Sequence, residues 1–118
     1  MFRTVATGGG AALEGGAAGT QEEVDLMMTR VSRGEAEIFP LPGRDWHTYI
    51  GPESIPTERV SFGVSIFPPG SRPEGHVHDT QEETIYCVAG RGRIVTPDGV
   101  AEMEPGVVCW VSPGTPHA

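Results

Sequence analysis

His76 and His78 flank a single residue, so on an extended chain, where side chains alternate faces, both imidazoles point the same way. An acidic pair, Glu82 and Glu83, begins four residues after His78, and residues 84–88 then read as a second strand. If those two strands form a hairpin, a carboxylate of the return strand reaches the two imidazoles. Two neutral nitrogens and one carboxylate oxygen on a rigid sheet suit a divalent transition metal. A fourth candidate ligand, His117, stands next to the last residue.

The polar residues around this cluster carry weaker signals. Gln81 and Glu82 are placed to line an entrance, with Glu82 also readable as a solvated charge. Cys87 shares the parity of Glu83 and reads as a small buried hydrophobe, with a metal-linked thiol as the sharper alternative. Tyr86 falls on the opposite strand face, where core or dimer packing is its expected role. Arg72 precedes the histidines and reads either as an anion ligand or as a surface charge. His47 has no partner identifiable from spacing, and Trp46 and Trp110 read as core or interface aromatics.

The elements that must position these residues are short strands. The 118 residues give room for one domain, and 17 glycines and 11 prolines with few helix-period runs favour strands joined by tight turns. Eight basic against 16 acidic residues leave a net charge of -8, which argues against a nucleic-acid surface. No apolar run approaches the roughly 18 residues of a membrane span, and the N-terminus lacks the apolar core of a secretory signal, so a cytoplasmic protein is expected. Cys87 and Cys109 both sit in apolar strand-like runs and are expected as buried free thiols rather than a disulfide.

Along the chain, residues 1–26 form a Gly/Ala-rich extension expected to be flexible, and residues 27–118 the folded domain. Residues 1–20 carry no periodic apolar face; Thr20 and Glu23 offer a capping box for a short helix through Val24, Met27, Met28 and Val31. Met27 and Met28 open the folded part and are candidate translation starts; an intact mass that includes Met1 would contradict this. Residues 35–39 read as a strand stopped by Pro40, and residues 45–50 as another. Val60, Phe62, Val64 and Ile66 alternate with Ser61, Gly63 and Ser65, giving one apolar face and one of small residues that could admit a ligand or a neighbouring strand. The glycines of residues 89–92 suggest a hairpin, residues 97–99 and 105–106 two further turns, and residues 107–111 a buried strand. Strands at this spacing argue for an antiparallel sandwich or barrel.

These residues resemble the cupin superfamily. Gly70, His76, His78, Glu83 and Gly90 match its first motif, G-x5-H-x-H-x3,4-E-x6-G, which selects Glu83 over Glu82 because the closing glycine then falls in register. Gly106, Gly114 and His117 match the second, G-x5-P-x-G-x2-H-x3-N, with Ser112 in place of its first proline and Pro113 in a variable slot. The resemblance implies an all-β double-stranded β-helix, a jelly-roll barrel often found as a homodimer. It also implies one metal held by His76, His78, Glu83 and His117. The family continues past its second motif with one or two more strands, so this chain is expected to lack the last strands of the barrel.

Such a ligand set favours iron(II) or manganese(II), with nickel or zinc as alternatives. With one carboxylate on a dication the site carries a net positive charge, suited to a small sugar, hydroxy acid or keto acid. The resemblance does not choose among isomerase, lyase or decarboxylase, and dioxygenase chemistry, and a non-catalytic binding or sensing module is the competing class. The partners expected are a small molecule and a second copy of the chain, with neither nucleic acid nor membrane.

Overall fold

The computed structural model describes residues 28–118 in full and residues 2–9 as backbone. Its strands are β1 (Phe2–Gly9), β2 (Glu37–Leu41), β3 (Arg44–Ile50), β4 (Val60–Phe67), β5 (Glu82–Ala89), β6 (Gly92–Thr96), β7 (Gly99–Met103) and β8 (Val108–Val111), with one 3-10 turn at Arg33–Glu35. Apart from that turn the described residues are all-β, in two antiparallel layers, as expected of a cupin sandwich. The larger sheet runs β2-β3-β4-β1-β5-β8, and the smaller pairs β6 with β7. Two short pieces widen the smaller layer. Ala118 exchanges backbone hydrogen bonds of 2.9 and 2.8 Å with Val95 of β6, and His117 exchanges two of 2.9 Å with His76.

One end of the space between the layers is closed by apolar packing. Cys87 from β5, Ile94 from β6 and Met103 from β7 form the buried cluster, with Ile85, Ala101, Val107 and Cys109 against it. Cys87 is therefore a core residue, and burial pushes its thiol above the ordinary range. Both cysteines are free. No helix among the described residues is long and apolar enough to cross a membrane.

Several local expectations need correction. Phe2–Gly9, expected to be unstructured, is a strand between β4 and β5, because eight residues of extended backbone complete both ladders even without an apolar pattern. The helix proposed from Thr20 lies mostly outside the described residues, and so does the boundary at 26/27; from Met28 to Ser32 the chain is not helical. Glu35 does not begin a strand. Its carboxylate accepts a 2.6 Å hydrogen bond from the Ser32 backbone N–H, closing the 3-10 turn as a capping box does. Pro40 does not stop β2, because β2 is the edge strand, where a missing N–H is tolerated. Gly90, at φ 77°, turns a corner between the two layers rather than a hairpin, since β5 and β6 lie in different sheets. The strand expected to be wholly buried, β8, buries one face only, and Trp110 on its outer face is 58% exposed, with Nε1 donating to Glu82 Oε1 at 3.1 Å.

The candidate metal centre

The period-two pattern of β4 determines what faces the open end of the inter-layer space. Gly63 and Ser65 point inward and are buried, while Phe62, Val64 and Ile66 face outward. Apolar residues commonly face inward, and β4 does the opposite. Trp46 of β3, paired with Ser65, uses the room so left. A Cβ on Gly63 would stand 2.2 Å from two Trp46 ring carbons, so only glycine admits the indole. Arg44, two residues before Trp46 and on the same face, donates from Nη1 to Ser65 Oγ at 2.9 Å and lies 5.8 Å from the Trp46 ring centroid.

Glu83 sits on the inner face of β5, in register with Val111 of β8. The histidines meet it from the other layer. The hairpin expected between the His76 segment and β5 does not form: β5 pairs with β1 and β8, and His76 pairs with His117. The extended backbone around His76 and the bond from the Gly114 N–H to the His78 carbonyl at 2.7 Å still hold both imidazoles on one side. The Nε2 atoms of His117, His78 and His76 lie 2.8, 3.4 and 3.9 Å from Glu83 Oε2. The four donor atoms all fall within 4.8 Å of one another. Metal–ligand bonds of about 2.1 Å put neighbouring donors about 3 Å apart and opposed ones about 4.2 Å, so the cluster is slightly wider than a mononuclear site and would contract by a few tenths of an ångström to hold one ion.

The hydrogen bonding around His117 points the same way. Its Nδ1 lies 2.9 Å from the Thr115 carbonyl oxygen, which only accepts, so Nδ1 carries the proton. The Nε2 atom lies 2.8 Å from a carboxylate oxygen, a contact that needs either a proton on Nε2 or a metal ion held by both atoms. His117 is 5% exposed, so water screens little of this. His76 is held below its ordinary basicity chiefly by burial, then by His117, with His78 and Arg44 adding and Glu83 opposing. That keeps it available as a neutral ligand.

All four residues singled out as ligands from the sequence therefore come together, and Cys87 does not join them. Gln81 and Glu82 line a hollow of about 400 Å³ beside His78. Arg72 is exposed and lies outside both cavity walls, and His47 sits on the outer face of β3, in register with Val64. Sequence reasoning missed Arg44 and Glu74, which line a second cavity, of about 360 Å³, together with His76, Glu83 and His117. The signal for Arg44 was its alternation with Trp46, opposite the small-residue face of β4.

Residues 63–118 match the family model described as cupin domain. An uncharacterized protein of Methanocaldococcus jannaschii is 35% identical over 59 residues, covering 50% of this chain and 47% of that protein. The chain thus spans about half the length of the curated relative it matches. No solved structure matches. The four donor residues all lie within the matched segment, and this segment belongs to the cupin superfamily.

Proposed function

We propose that His76, His78, Glu83 and His117 hold one divalent transition metal, iron(II) or manganese(II) ahead of nickel or zinc, and that the domain is a small mononuclear metal enzyme. The observation that carries this reading is the convergence of four donor atoms within 4.8 Å at the wall of a cavity. When bound, the metal supplies Lewis acidity and a template for an oxygen-rich ligand, or a site for dioxygen. The protein supplies the rest. The second layer orients His76 and His117 through backbone pairing, and Thr115 fixes the tautomer of His117. Glu74, the cavity carboxylate outside the donor set, is the candidate for moving a proton on a hydroxy acid, keto acid or sugar. Isomerisation, decarboxylation and dioxygenation all fit such a site.

The test is metal content by plasma mass spectrometry on the purified chain, followed by a turnover screen of hydroxy acids, keto acids and sugars with each retained metal. Near-stoichiometric metal that falls in His78→Ala and Glu83→Ala, with turnover that also falls in Glu74→Gln, is the expected result. Retained metal without turnover would replace the enzyme by a binding module, and absence of metal after supplementation would remove the site.

We propose further that a second copy of the chain covers the outer face of the large sheet. In support, Ile38, Val60, Tyr86, Val88, Val108 and Trp110 are between 45% and 61% exposed there. The free thiols Cys87 and Cys109 fit a reducing compartment, and we place the protein in the cytoplasm on that ground.

A further inference from the structure

We propose that Arg44, seated on Ser65 and Trp46, is an anion-binding subsite beside the metal centre, and that the ligand of this protein is a small carboxylic acid. The inference deepens the proposed function and rests on it for the position of the metal, though not for the position of the arginine.

Three arginines line the cavity that also holds Glu74 and His117, and they differ in what neutralises them. Arg91 and Arg93 are exposed at the rim, 3.8 Å from Glu104 and 2.9 Å from Glu102 respectively. Arg44 makes no ion pair among the described residues. It is half-buried, and burial pulls its guanidinium below the ordinary range while the negative charge of Glu83 opposes the shift. A guanidinium does not deprotonate to escape that cost. A desolvated cation without a counter-charge destabilises the fold, so a charge supplied from outside is strongly favoured there. Glu83 cannot supply it once its oxygen is committed to the metal.

Arg44 is also held ready. Its Nη1 bond to Ser65 uses one of five donors, and the Trp46 ring supports the guanidinium plane. The remaining donors form a fork suited to a carboxylate. Arg44, His76 and Glu83 are the three residues common to the two hollows at this end of the molecule, so the arginine and the donor set share one space. With a dication, Glu83 and Arg44 the centre of that space carries a net charge of about +2, which an ionised Glu74 at the cavity wall lowers to about +1, still in favour of an anion. A neutral sugar would accept hydrogen bonds from Arg44 but supply no counter-charge.

The experiment is titration calorimetry with oxalate, malonate, succinate and glutarate, each beside its uncharged diamide. The proteins are the parent, Arg44→Gln and Arg44→Lys, each with its metal content measured and each repeated after chelation. Expected is binding of at least one diacid, weakened about tenfold or more in Arg44→Gln and partly restored in Arg44→Lys, with metal content unchanged and the melting temperature of ligand-free Arg44→Gln no lower than the parent's. The diamides should bind equally weakly to all three. A diacid affinity that Arg44→Gln leaves within about twofold, or no diacid binding at all, would overturn the subsite. If the parent holds no metal, the metal reading fails separately, and Arg44-dependent diacid binding to the metal-free protein still decides this inference.

Discussion

Glu83 and Cys87 lie four residues apart on the same face of β5, and the two ends of the inter-layer space they mark are built in opposite ways. Around Cys87 the space is filled: Ile94 and Met103 close over it, and Cys87 is 0% exposed. Around Glu83 the space is kept open by small residues, Gly63 and Ser65, and bordered by imidazoles, an indole and a guanidinium. One end offers burial of apolar surface, which stabilises; the other holds polar groups whose partners come from outside. Stability and chemistry are thus separated along a single strand, and substitutions at the two ends should separate them in the laboratory.

The largest effect expected is at the open end. Glu83→Ala should take metal content from near one equivalent to below about a tenth, because the remaining imidazoles carry no charge to offset the dication. At the closed end, Met103→Ala should lower unfolding free energy by about 2–5 kcal/mol in denaturant titrations while metal per folded chain stays at the parent level. Loss of metal in Met103→Ala at temperatures where it remains folded would show that the two ends are coupled. Gly63→Val tests the space itself: its side chain would displace the Trp46 ring, and with it the support of Arg44. Strain of about 1–3 kcal/mol and weakened diacid binding are expected, with metal retained.

A smaller effect concerns the outer face. Trp110→Ser should reduce the mass seen by light scattering toward that of one chain while leaving metal content unchanged; an unaltered mass would move the interface elsewhere. The smallest is a pH effect on the metal-free protein. His76 is held below its ordinary value of 6.5, chiefly by burial and next by His117. The unfolded chain therefore takes up the proton first as pH falls. The contribution of His76 to stability is present above about pH 6.5 and lost as pH drops through its folded value, which a denaturant-midpoint series from pH 8 to 5 would register. His76→Ala should flatten that slope.

The ligand set was legible because H-x-H with the downstream glutamate and His117 keep fixed spacing to glycines that the backbone needs at the turns. The pairing partners were not. Spacing puts two side chains on one face, but it does not say which strand lies opposite, and so a hairpin was expected where two layers face each other. β4 shows the same limit: its alternation was clear, while which face is the inside depends on Trp46 and Arg44 of a neighbouring strand. Phe2–Gly9 carries no apolar periodicity, and its place between β4 and β5 follows from backbone pairing, to which composition is blind.

X-ray absorption at the edge of whichever metal the chain retains tests the donor set most directly. Three imidazole nitrogens and one carboxylate oxygen at about 2.0–2.2 Å are expected, with one imidazole contribution lost in His117→Ala. A sulfur neighbour at about 2.3 Å, or a spectrum unchanged by that substitution, would place the metal elsewhere.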